Sequence, residues 1–207
     1  MKIFTSWDDG LIYDIELAEL LRKYKIPAVF YIPTCCDLIP DMIKGLSKDF
    51  EIGGHSKTHP ADLKNLDDEL LYQELNDNRK WLEYLTGKKI TKFCYPRGRY
   101  NDRVIKIVKK AGFKEARTTV IGSIYPALDP FKTPTTVHCF QRKEYEGVPW
   151  LDYAKQKYLE AKALEGSVFH LWGHAKEIIE NGQIGKLEEF FLFITNDIKN
   201  HTVEVEF

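Results

Sequence analysis

Two hydrophobic periods alternate along this chain. Short segments that read as strands stand at residues 2–7, 28–32, 50–52, 92–95, 115–119, 135–139 and 167–172. Between them lie segments with helical spacing. Residues 13–24 carry apolar side chains at Ile15, Leu17, Ala18, Leu20 and Leu21, and further helices are predicted over 41–48, 67–85, 102–111, 150–164 and 186–199. The punctuation agrees. Asp67 and Asp68 open the longest helix, Gly87 follows its end, and Gly112 stops the next. Residues 28–32 (AVFYI) have no polar member, as suits a strand buried on both faces. Residues 122–134 read as a long loop, and 202–207 as a last strand.

Strands that alternate with helices imply a parallel sheet with helical crossovers. An eight-unit barrel usually takes about 250 residues. Here seven or eight units are spread over 207 residues. The expectation is an α/β fold: a distorted (β/α) barrel of seven or eight parallel strands in a single domain, 1–207. The 43% hydrophobic and 29% charged residues are those of a globular chain with a substantial core. Thirty basic against 31 acidic residues leave no field for a phosphate backbone, so nucleic acid is not expected as a partner. No apolar run approaches the roughly 20 residues that span a bilayer, so no membrane is expected either. Charge by position 8 and the lack of an apolar signal core give a cytoplasmic reading of the chain as given, which a trimmed secreted chain would share. Cys35, Cys36, Cys94 and Cys139 form no disulfide or zinc spacing and are read as free thiols.

The chemistry-bearing residues follow predicted strands directly: Asp8-Asp9, His55 with His59, Pro96-Arg97, and His174. In a parallel barrel all such positions open on one face, where active sites sit. Histidines four apart on a helical turn can grip one metal, and Gly53-Gly54 and Pro60 would bound such a turn. A carboxylate of the Asp8-Asp9 pair can be a third ligand and the other a general base, which leaves a position open for water, as in catalytic zinc sites. His170 and His174 are also four apart, but on a strand they stand about 13 Å from each other and cannot share an ion. His174, after Gly173, faces the pocket as a candidate acid; His170, His138 and His201 are read as structural.

These motifs together resemble the polysaccharide deacetylase family, the NodB-homology fold of carbohydrate esterase family 4. Residues 5–10 (TSWDDG) are similar to its first motif, T-F-D-D-G. His55-Ser56-Lys57-Thr58-His59 matches H-[ST]-x-x-H, residues 93–98 (FCYPRG) resemble F-R-x-P-Y-G, and residues 171–174 (LWGH) resemble the last motif. The resemblance implies a divalent metal, most often Zn2+, on Asp9, His55 and His59, with Asp8 as general base and His174 as general acid. It also implies an oxyanion N–H from Arg97. Two features of the family are missing: its third-motif arginine falls on Cys94, and no D-x-x-D-W motif is present, Asp129 being a poor match. The residue that orients the base and the partner of the acid are thus left unassigned.

The expected function is metal-dependent deacetylation of an N-acetylated saccharide. Trp7, Tyr100 and Trp172 are candidate surfaces for a sugar ring, with core packing as their commoner use. The alternatives are hydrolysis of a non-sugar amide on the same centre and a non-catalytic carbohydrate-binding barrel.

Overall fold

The computed structural model describes residues 1–200, and the strand expected over 202–207 lies outside them. Among the described residues, seven strands form one sheet: β1 (Lys2–Asp8), β2 (Ala28–Ile32), β3 (Glu51–Gly54), β4 (Lys92–Cys94), β5 (Glu115–Arg117), β6 (Val137–His138) and β7 (Val168–Gly173). Their order is β5-β4-β3-β2-β1-β7-β6, and every pairing is parallel. The segment 133–138 bridges the two edges. Thr133 pairs with Arg117 of β5, and Val137 and His138 pair with Leu171 and Trp172 of β7. The sheet therefore curls into a small, irregular barrel, as the strand–helix rhythm predicts.

Among the described residues, seven α-helices accompany the strands: α1 (Tyr13–Tyr24), α2 (Pro40–Asp49), α3 (Asp68–Thr86), α4 (Asp102–Lys110), α5 (Trp150–Lys162), α6 (Ala175–Glu180) and α7 (Ile184–Asn200). The α3 signals act as read: the Asp67 carboxylate accepts from the Leu70 N–H at 2.8 Å, and Gly87 takes the left-handed C-cap conformation. The sequence pattern misses α6, because six residues are too few to display a helical period. No helix among the described residues is long and apolar enough to cross a membrane. All four cysteines are unbridged.

Strand side chains alternate between two environments. Ile3 and Trp7 of β1, Phe30 and Ile32 of β2, and Phe169 and Leu171 of β7 join the large core shared with the helices. The residues between them meet inside the barrel, where Val29, Tyr31 and Cys94 form a separate small apolar cluster. Much of this interior is polar and bonded. Ser6 pairs with the His170 ring at 2.8 Å, and that ring lies 4.2 Å from Phe4. His170 is thus structural, as expected. Trp7 is fully buried, with its indole N–H donated to Thr5 Oγ1 at 3.0 Å, so it offers no surface to a sugar. A cavity of about 640 Å³ opens at the strand starts, bordered by Lys2, Pro27, Glu51 and Lys92, at the opposite end from the motif residues.

Candidate active site and metal centre

Two adjacent carboxylates on a strand would face opposite ways. The chain avoids this by ending β1 between them. Asp8 is the last register residue, opposite Tyr31, and faces the interior. Asp9 has φ 83°, a left-handed conformation that short polar residues tolerate at modest cost. That reversal brings its carboxylate to the mouth of the barrel. There Oδ1 stands 3.5 Å from Nε2 of His55 and 3.5 Å from Nε2 of His59.

The two histidines do not lie on a helical turn. Residues 55–59 form a loop after β3, with left-handed φ at Ser56 (67°) and His59 (51°). The double reversal brings the rings to 4.8 Å between centroids, so the H-x-x-x-H spacing works through loop geometry. Helix α3 holds the loop from outside. Glu74 accepts from the Lys57 and Thr58 N–H groups at 3.0 and 2.8 Å, and Asn78 accepts from the His55 N–H at 3.0 Å. Gly54 is required here, since a Cβ would come within 2.8 Å of Phe113 and 2.9 Å of Asn78. His55 Nδ1–H donates to the Cys94 carbonyl at 2.8 Å, which leaves Nε2 aimed at Asp9.

The donor set suits a divalent ion. Tetrahedral ligands at about 2.1 Å from zinc stand about 3.4 Å apart. Asp9 is 3.5 Å from each imidazole, and all three ligand atoms lie within 4.8 Å of one another. Two imidazoles and one carboxylate also match the composition of open, catalytic zinc sites. Burial pushes the Asp9 carboxyl up, but the hydrogen bond and charge of His55 and the charges of His174 and His59 outweigh it and hold it at about 2. Burial, reinforced by His55, lowers the His59 imidazole and favours its neutral, ligating form.

Asp8 is buried and faces a guanidinium that the motifs do not indicate. Arg117 of β5 is 2% exposed and donates through Nη2 to Asp8 Oδ2 and, at 2.8 Å, to Cys94 Sγ. Burial opposes the Arg117 charge, and Asp8, Cys94 and Tyr31 together outweigh it and raise the pKa. The guanidinium carbon lies 4.4 Å over the Trp172 ring and 5.4 Å from the Tyr31 ring. Trp172 is consequently 5% exposed, covered by Arg117 and by the edge-on His138 ring, and is not an open platform for sugar. Tyr100 is half-buried and stacks on Tyr95 at 4.6 Å. Arg97 is exposed in the turn after β4, with φ 56°.

His174 stands on the other side of Asp9, with Nε2 3.8 Å from Asp9 Oδ2. Its Nδ1 is 3.6 Å from Oε2 of Glu177, three residues on in α6. Glu177 is itself held 3.3 Å from Arg142 Nη2 and 3.3 Å from His138 Nε2. Burial works against the His174 charge, but the hydrogen bond to Glu177 and the charges of Asp8 and Asp9 raise its pKa. His138, read as structural, is wholly buried and accepts from Arg142 at 2.7 Å. Asp129 caps a turn through the Phe131 N–H and takes no part in the site. Arg117, Glu177, Asn78 and Glu74 escape the motif reading; the available signals are a charge pair in a buried strand and an H-x-x-E spacing.

The family profile described as polysaccharide deacetylase matches residues 2–116, which include Asp8, Asp9, His55, His59 and Arg97. The chain belongs to the polysaccharide deacetylase family. This polysaccharide deacetylase domain is also similar in fold to solved structures. A putative polysaccharide deacetylase from Mycobacterium smegmatis superposes with a TM-score of 0.73 at 15% identity, over 94% of this chain and 83% of that one. The Streptococcus pyogenes deacetylase PplD, in complex with acetate, gives 0.60 at 22% identity, over 64% of this chain and 62% of that one. A mutant of a Bacillus anthracis CE4 family pseudoenzyme, with restored enzymatic activity, gives 0.59 at 20% identity, over 91% and 62%. The chain thus spans about six tenths of the last two proteins. No curated protein is similar enough to match it. Cys94 stands where the resemblance places an arginine, and Glu177 lies beside His174.

Proposed function

We propose that the chain, as one domain over 1–207, is a metal-dependent hydrolase that removes the acetyl group from an N-acetylated saccharide. The observation that carries this reading is the Asp9–His55–His59 triangle, which has Asp8 and His174 beside it as separate base and acid. A divalent ion on those three residues, zinc by the donor set, would polarise the acetyl carbonyl and acidify water at the site. Asp8 Oδ2 is tied to Arg117, and Oδ1 is buried without a partner, which makes Oδ1 the atom that takes the proton from the attacking water. The Arg97 N–H is assigned to the oxyanion. His174 gives its proton to the departing nitrogen, so that amide and water become free amine and acetate. The polar support of Asp8 by Arg117 and of His174 by Glu177 favours catalysis over a binding-only barrel, which has no need to orient a base and an acid.

Acetate release from N-acetylglucosamine oligosaccharides tests this reading. Turnover supports it; oligosaccharide binding with no release would put the binding barrel in its place, and release from simple amides alone would favour a non-sugar substrate. His174→Ala should keep its metal and slow N-acetyl sugar hydrolysis far more than that of an activated acetyl ester, whose leaving group needs no proton. Equal losses on both substrates would remove His174 from the acid role.

The Glu177 contact makes a pH prediction. An acid must be protonated, so activity falls as pH rises through the His174 pKa. Glu177 raises that pKa and extends activity to higher pH. Glu177→Gln should therefore move the alkaline limb of kcat/KM to lower pH. An unmoved limb would sink the assignment.

A further inference from the structure

The base has a support that enters from an unexpected strand. Cys94 of β4 and Arg117 of β5 are register partners, side by side in the same barrel layer. Neighbouring strands stand about 4.8 Å apart. A guanidinium on a long side chain spans that distance, so moving it one strand over keeps Asp8 within reach. The move succeeds only if the vacated position is small. Cys94 fills it with a sulfur that touches Arg117 Nη2 at 2.8 Å and lies 3.6 Å from Asp8 Oδ2. Trp172 and Tyr31 wall the guanidinium in, and its Nη1 is anchored on the Thr118 carbonyl at 3.2 Å. These contacts leave the group one direction to point. It takes one oxygen of Asp8, and the other stays unpartnered.

Resting on the deacetylase reading above, we propose that Arg117 is the positioning residue for Asp8, and that Arg117 and Cys94 form a transposed pair. The arginine sits on β5 and the small residue on β4, and either arrangement of the pair sets the carboxylate in the same orientation. Arg117 bonds to Asp8, Cys94 and the Thr118 carbonyl, and to none of Asp9, His55 and His59. It acts by deciding which Asp8 oxygen is free.

The test compares Arg117→Ala, Arg117→Lys and the transposed double variant Arg117→Ala/Cys94→Arg in zinc content, thermal midpoint, and kcat and KM on an N-acetylglucosamine oligosaccharide. Outer-shell support of this kind typically contributes about 10–100-fold. Arg117→Ala should lose about that much in kcat, with KM and zinc per chain unchanged. The double variant should recover most of the lost kcat and thermal midpoint, and millimolar guanidinium should partly restore Arg117→Ala. A purely structural arginine would not respond to added guanidinium. The proposal fails if Arg117→Ala keeps the parent kcat, or if neither transposition nor guanidinium restores it. Should Arg117→Ala not fold, Arg117→Lys supplies the kcat comparison, again with loss expected and parent-like turnover overturning the proposal. If the parent itself releases no acetate, the deacetylase reading has failed and the thermal midpoints decide this one. Losses from Asp8→Asn and Arg117→Ala that combine less than additively, with recovery on transposition, support the pair; additive losses without recovery overturn it.

Discussion

Asp8→Asn should lower kcat for N-acetyl sugar hydrolysis by about 10²–10⁴-fold while leaving metal content and substrate affinity near those of the parent. The substitution keeps the side chain's size and its ability to bond to Arg117. It removes the one property the mechanism needs, a carboxylate oxygen that can accept a proton. That oxygen is well defined, because Oδ2 is engaged by Arg117 and lies beside Cys94, whereas Oδ1 is buried and unpartnered. The paired measurements are zinc per chain and kcat. Parent-like turnover of amide by Asp8→Asn would make the assigned mechanism wrong. Loss of zinc from this variant would instead place Asp8 among the ligands.

The other large effect concerns the metal. The parent should hold one divalent ion per chain, and His55→Ala/His59→Ala should hold none and lose turnover. Each imidazole contributes one of three ligands, and a single carboxylate at an open barrel mouth gives weak binding by itself. Asp9→Asn should weaken the ion less completely, because the amide oxygen remains a poor ligand. Elemental analysis on tag-free protein decides this, and equal metal content in parent and double variant would reject the site. Chelation should stop acetate release, and added zinc should restore it.

The local signals were readable because they are local. The periods of α1, α3 and β2 and the caps at Asp67 and Gly87 depend on residues a few positions apart, and they were found close to where they were expected. The placement of Asp8-Asp9, His55, His59 and His174 after strands was likewise visible, because a parallel barrel sends every strand end to one face. The family resemblance added roles to those residues, and the profile match bears the family out.

Contacts between distant parts of the chain were not readable. Arg117 lies 109 positions from Asp8 and belongs to no motif. Only the parallel register of β4 and β5 shows that it occupies the layer of Cys94. Glu177 was hidden in a helix too short to show a period, although it follows His174 by three residues. The H-x-x-x-H spacing was seen and its conformation misread, because two left-handed residues in a loop can join what a helical turn would join. Trp172 looked like a sugar surface because exposure is a property of the packed molecule, and it proved to be the floor beneath Arg117. By itself, then, the sequence determined the strand–helix series, the face on which chemistry gathers and the pairing of His55 with His59, all of which follow from spacing along one chain; the choice of Asp9 as third candidate ligand came from the family resemblance. The tertiary structure alone decided what supports Asp8, the proposed base, because Arg117 and Cys94 meet it only when the sheet curls and brings β1, β4 and β5 around one interior.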